Sequence, residues 1–194
     1  MISVSFCNSR KGYGTHLISS SDIKDEKRLE INTVAFHPTD SLTKVFFEVQ
    51  NDNLLYKRPD TSNSFYAKVR VSYKVYPEKN SKKIIDSSSF YINDFSKDEA
   101  VMPKSLNSEF NVKTEFGKSY YVELETVDIN KKIRYKNELV INKMNRFNRQ
   151  NFLIYSHGKI IFRNHFLKKG VVDIKCNDPK IEKQTSDLKK LLKQ

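Results

Sequence analysis

The segment from Phe65 to Tyr76 constrains this chain more than any other. Phe65, Ala67, Val69, Val71, Tyr73 and Val75 fall on one parity, and Tyr66, Lys68, Arg70, Ser72, Lys74 and Tyr76 fall on the other. A strand sends alternate side chains to opposite faces, so this run has one dry face and one wet face. The pattern recurs at Ile133, Tyr135, Leu139 and Ile141, interleaved with Arg134, Lys136 and Glu138. Such alternation belongs to antiparallel sheets solvated on one side. It predicts an all-β fold: an antiparallel, immunoglobulin-like β-sandwich over residues 28–143, with Phe65–Tyr76 central in its sheet.

The rest of the chain is organised around that sandwich. Residues 1–27 form a polar leader behind a short apolar start. Strands are expected over 28–37, 44–50, 65–76, weakly over 84–92, and over 110–114, 119–129 and 131–142. Gly117-Lys118 and Asn130-Lys131 are read as turns between the later strands. Within 119–129 the apolar parity shifts from Tyr120, Val122 and Leu124 to Val127 and Ile129, which predicts a bulge. Residues 143–150 break the alternation. A smaller β unit is expected over 147–176, with His157-Gly158 as a two-residue turn between Phe152–Tyr155 and Ile160–Phe162. Those flanks are apolar on both parities, which predicts burial on both faces. Residues 177–194 are a tail with a short basic helix that places Leu188, Leu191 and Leu192 on one side.

Charge and composition narrow the classes. The chain of 194 residues carries a net charge of +12 and a pI near 9.5. Lysine is spread along its whole length, which reads as solvated strand faces rather than one localised patch. The two cysteines, Cys7 and Cys176, are too far apart in sequence for a disulfide framework or a zinc site, and Cys176 is expected to be a small buried residue. No stretch reaches the ~18–20 apolar residues of a membrane-spanning helix.

Catalytic constellations are not legible. There is no G-x-S-x-G elbow, H-E-x-x-H, P-loop or G-x-G-x-x-G. His16, His37, His157 and His165 are scattered, each in a setting typical of a surface or satisfied histidine. Glu123, Glu125 and Glu138 sit on wet parities, and Asp94, Asp98 and Glu99 are assigned to loops. Asp86 shares the apolar parity of its strand and is expected to be buried and paired. The expectation is a non-enzyme with no cofactor and no metal.

One surface is competent to bind. Tyr66, Lys68, Arg70, Lys74 and Tyr76 interleave aromatics and cations on the wet face of one strand. Basic, aromatic sheet faces hold single-stranded nucleic acid in several folds. The plainer reading is an outer sheet face whose cationic side chains lie over tyrosine rings. At the start, Val4-Ser5-Phe6-Cys7 is similar to the end of a lipoprotein signal, with Phe6 departing from the small residue expected there. Cys7 is either a lipid-attachment site or an incidental cysteine.

The order of segments carries a resemblance. Lys44–Val49, Phe65–Tyr76, Ile85–Phe90, the hairpin 119–142, and Phe152–Tyr155 followed by Gly158–Phe166 succeed one another much as in the β-rich N-terminal half of the GWxTD-domain proteins of the Gram-negative envelope. The resemblance covers residues 28–181. The chain has no tryptophan, so the Gly-Trp-x-Thr-Asp signature itself is absent. The resemblance implies a cell-envelope β protein on the periplasmic side, acting by contact, whose partner is another envelope protein; lipid attachment at Cys7 would anchor it there. The basic leader adds an anionic membrane surface as a second contact, and nucleic acid is the competing partner class.

Overall fold

The computed structural model describes Leu29 and residues 31–162 and 173–177. Ten strands are described: β1 (Ile31–Thr39), β2 (Leu42–Gln50), β3 (Phe65–Tyr76), β4 (Asp86–Ser96), β5 (Ser105–Lys113), β6 (Ser119–Asp128), β7 (Ile133–Asn142), β8 (Phe152–Ser156), β9 (Lys159–Ile160) and β10 (Asp173–Cys176). The first seven form two antiparallel sheets, ordered β1-β2-β5 and β4-β3-β6-β7. The last three form a small third sheet ordered β10-β8-β9. Compared with the constant-type immunoglobulin arrangement, the fourth strand has moved to the edge of the second sheet.

The core lies between the two larger sheets, where their alternating apolar residues meet. Phe47, Val45 and Val49 of β2 face Val69, Val71, Tyr73 and Val75 of β3, with Phe110 and Val112 of β5 and Val122 of β6. The Phe47 ring lies 5.7 Å from Phe90 and 6.3 Å from Phe110, and Phe110 stacks on Tyr73 at 4.0 Å. β3 is the central strand that the alternation predicts.

Tyr120 opens β6 and forms a tyrosine corner, its phenol oxygen accepting a hydrogen bond from the Glu115 N–H at 2.9 Å. The preceding turn has Gly117 at φ +82°, a conformation in which a Cβ is strained. His157 and Gly158 both have positive φ, as a two-residue type I′ hairpin requires.

Several expectations need correction. β6 contains no bulge: its pairing with β3 and β7 runs without a shift. The inward parity simply continues through Thr126 and Asp128, both buried polar residues. The irregularity lies instead in β1, between Phe36 and Thr39, where Pro38 has no N–H to give a ladder. Asp94 is not in a loop but buried within β4. Asp86 is only half-buried. In β8 only Leu153 is buried, so that strand is not enclosed on both faces. Cys176 is buried, as expected. The leader with Cys7 and His16, together with His165 and the tail helix, lie outside the described residues.

A buried polar chain locks the exit from the sandwich. Lys143 is 3% exposed, and its ammonium donates to the carbonyls of Thr39 and Asp40, both at 2.7 Å, and to Thr114 Oγ1 at 3.1 Å. Thr114 Oγ1 lies 3.0 Å from Thr43 Oγ1, which lies 2.9 Å from His37 Nδ1. The Asn142 carbonyl, 3.0 Å from Nε2, can only accept, so neutral His37 carries its proton on Nε2 and accepts at Nδ1 from Thr43, which in turn accepts from Thr114. Burial, together with the nearby Lys143 charge, holds His37 below its ordinary 6.5 against the opposing pull of that Asn142 bond. Burial likewise lowers Lys143.

Candidate binding face

The two sheets present very different outer faces. On the three-stranded sheet, the hairpin β8–β9 lies alongside the outward residues. Phe46 and Glu109 form one wall of a groove of about 380 Å³, and Tyr155, Ile160 and Phe162 form the other. Burial raises the Tyr155 phenol, and the nearby Glu109 carboxylate raises it further. On the four-stranded sheet Lys79 of the β3–β4 loop lies over the buried Tyr121 ring, and the outer face is open around Tyr91 and Phe95.

The ladder register builds that open face row by row. Tyr66 stands opposite Phe95, Lys68 opposite Asn93, Arg70 opposite Tyr91, Ser72 opposite Ser89 and Lys74 opposite Ser87. Toward the other edge, Arg70, Ser72, Lys74 and Tyr76 meet Val127, Glu125, Glu123 and Tyr121. These in turn meet Arg134, Lys136, Glu138 and Val140 of β7.

The face divides into two halves. The first is aromatic and cationic. Phe95 and Tyr91 are 67% and 52% exposed, unusual values for large rings on a sheet. Lys68 Nζ sits 4.3 Å from the centre of the Tyr91 ring, a cation–π contact. The Arg70 Nε is buried without a hydrogen-bond partner among the described residues. The outward side chains of β3 and β4 include no carboxylate.

The second half mixes both signs of charge and is self-paired. Glu123 and Glu138 lie directly opposite each other, an arrangement that repels. Tyrosine hydroxyls relieve it: Tyr76 donates to Glu123 at 3.0 Å, and Tyr121 donates to Glu138. That bond, with burial and the nearby carboxylates, pushes the Tyr121 phenol up to about 12 and lowers Glu138. Lys79 adds an exposed ion pair with Glu138 at 3.4 Å. Between the halves, Ser72, Ser87 and Ser89 floor a polar trough of about 520 Å³ flanked by Lys74, Glu125 and Lys136.

Of the five residues read from the sequence as a binding face, the structure places all on one face of β3, but not in one site. Tyr66 and Tyr76 stand ten residues apart, about 33 Å along a strand. Tyr66, Lys68 and Arg70 join Tyr91 and Phe95, whereas Lys74 and Tyr76 belong with the self-paired half. Sequence reasoning missed Tyr91 and Phe95. Their signal was present: the dry parity of β4 carries Phe90 and Ile92, so Tyr91 and Phe95 had to point outward.

Buried polar groups brace the β4 end of this face. Asp94 accepts from the Tyr56 hydroxyl and pairs with Lys104 Nζ at 2.6 Å. Burial alone would raise the Asp94 carboxyl, but the bonds from Lys104 and Tyr56 outweigh it and hold the group low. The phenol of Tyr56 is raised by burial and by Asp94. Asp128 accepts from the N–H groups of Leu55, Asn130 and Lys131 at 2.8, 2.9 and 3.0 Å, tying two loops together beside Tyr66. Among the described residues no three His, Cys, Asp or Glu side chains converge in a way that could hold a metal ion, and no helix is long and apolar enough to cross a membrane. No protein-family model matches the chain, and no curated protein matches it.

Proposed function

We propose that this chain is a non-catalytic β-sandwich module of a bacterial cell-envelope protein that acts by contact with another protein. The contact surface is the aromatic and cationic half of the open sheet face. One observation carries this reading: Phe95 and Tyr91 are largely exposed opposite Tyr66 and Arg70, while on the other sheet the outward ring, Phe46, is half-buried and lines a groove with the hairpin β8–β9. Exposed aromatics beside arginine are the residues enriched at protein interfaces. The envelope setting and periplasmic location come from the resemblance to the GWxTD-domain proteins.

A photo-crosslinking amino acid at position 91, in cells expressing the gene, tests the reading. A discrete protein adduct is expected from position 91 and not from position 113 on the other sheet. Equal adducts from both positions, or none from 91, would overturn it.

The same rows support a second reading, single-stranded nucleic acid stacked on Tyr66, Tyr91 and Phe95 with Lys68 and Arg70 on its phosphates. Binding to an oligothymidine that weakens steeply with salt, and is lost in the double variant Lys68→Glu/Arg70→Glu, would select it.

A further inference from the structure

We propose that the free edge of β4 is a docking site for an extended, acidic segment of a partner protein, which joins the four-stranded sheet as a fifth strand. This rests on the contact-module reading and names the partner's chemistry and its mode of attachment.

An open edge strand presents unpaired N–H and C=O groups, and proteins usually blunt such edges. The edge of β7 is blunted. The Gln150 side chain occupies its peptide groups, accepting from Asn142 N at 2.8 Å and donating to the Val140 carbonyl at 2.7 Å. Arg134, Lys136 and Glu138 add charge along the same strand. The edge of β1 is flanked by β8 and by the 3-10 turn Arg149–Asn151. β4 differs from both. Its 11 residues pair with β3 from Phe65↔Ser96 to Val75↔Asp86 without a shift. Asp86 and Asp94 share the inward parity near its two ends. Between them, residues 87–93 carry no charge, proline or glycine.

The side chains around this edge select the occupant. A fifth strand would set its outward residues about 5 Å from those of β4 in directly opposed pairs, against Tyr91 and Phe95. Lys68 and Arg70 stand one strand further in. Lys82 and Lys83 precede β4 and are exposed, whereas after β4 Lys97 is followed by the exposed acids Asp98 and Glu99, so the cations that select the occupant are Lys68, Arg70, Lys82 and Lys83. Strand addition supplies affinity through main-chain bonds and specificity through alternate side chains. Here that specificity is for carboxylates interleaved with apolar residues. A second copy pairing antiparallel through its own β4 would offer Ser87, Ser89, Tyr91, Asn93 and Phe95 as its outward residues, so it brings no carboxylate to Lys68 and Arg70.

Hydrogen–deuterium exchange of the full chain tests the proposal. The probes are a nine-residue peptide alternating Glu with Val and its Lys–Val counterpart. The Glu–Val peptide is expected to slow exchange of β4 amides at least tenfold, and the Lys–Val peptide to leave them unchanged. Lys68→Glu/Arg70→Glu, checked as folded by circular dichroism, should weaken Glu–Val binding tenfold or more. Four results would overturn the proposal: β4 amides already slow without peptide, equal protection by both peptides, no protection by either, or a concentration-dependent dimer that protects β4. Protection of the outer face by oligothymidine with β4 exchange unchanged would also count against it. A position-91 adduct obtained while β4 amides stay open in both peptides would sink the edge mode and leave the contact-module reading standing.

Discussion

The outer faces of the two sheets begin from the same sequence grammar and end differently. β2 alternates Val45, Phe47 and Val49 inward with Lys44, Phe46 and Glu48 outward, and β3 alternates in the same way. On the first sheet the outward side chains are engaged: Lys44 pairs with Glu109 at 2.6 Å, Asn32 donates to Glu48 at 3.1 Å, and Phe46 lines the groove beside the hairpin. On the second, the rings of Tyr91 and Phe95 lack such cover among the described residues. Alternation therefore separates inside from outside but does not say which outside is used. That distinction comes from what the later chain packs against.

The largest expected effect lies in the core that both faces share. Phe47 is fully buried against Phe90 and Phe110. Phe47→Ala should cost about 3–5 kcal/mol, the usual range for deleting a buried ring. Its neighbour Phe46, on the outward face, should cost clearly less when changed to Ala. Urea unfolding of the two variants checks this, and equal losses would mean the groove beside the hairpin is as dry as the core.

A smaller effect is expected at the tyrosine corner, which fixes the crossing from one sheet to the other. Tyr120→Phe leaves the Glu115 N–H without its acceptor and should cost about 1–2 kcal/mol. A change under a few tenths would show that solvent satisfies that N–H and that the corner does not hold the sheets in register.

The parts of this fold that were legible are those decided by local contrast. β3 reads cleanly because its two faces differ at every position. The turns read because Gly117, in the crossing from β5 to β6, and Gly158, at the β8–β9 hairpin tip, take positive φ. The parts that were not legible depend on partners far away in sequence. Thr126 and Asp128 continue the buried face of β6, and Asp128 is satisfied there partly by Leu55 N, 73 residues away. Asp94 looked like a loop acid because its partners, Tyr56 and Lys104, lie in two other segments. The binding face was half legible for the same reason. Tyr66, Lys68 and Arg70 follow from one strand's parity, but joining them to Tyr91 and Phe95 needs the register of β3 with β4.

The junction below the faces should respond to acid. His37 is held neutral with a lowered affinity for protons, so its unfolded form binds a proton more readily. Stability from this group is complete above its unfolded value near 6.5 and is lost as pH falls through the lower folded value. The carboxyl of Asp94, held below its ordinary 3.8, stays ionised in that window. The urea midpoint of the wild type should therefore fall between pH 7.5 and 5.5, and fall less in His37→Gln. Identical slopes would assign the transition to another group and detach the buried chain from the pH response.

The smallest stability effect is the one that sharpens the comparison most. Tyr91→Ser and Tyr155→Ser remove the same side chain from outside the two sheets. Tyr155 is half-buried and its phenol is raised mainly by burial, so removing it takes apolar contact from the groove beside Phe46. A loss of about 1 kcal/mol is expected there, within the ordinary range for a partly buried contact. Tyr91 is 52% exposed and meets chiefly Lys68 through its ring, and exposed cation–π pairs contribute about 0.5–1 kcal/mol at most. Side-chain entropy regained by Lys68 offsets part of that, so Tyr91→Ser should lie within about 0.5 kcal/mol of wild type. A change that small would support the proposal that this exposed ring serves contact rather than stability. If Tyr91→Ser instead unfolds the protein as readily as Tyr155→Ser does, the open face is structural, and the asymmetry between the two sheets loses its functional meaning.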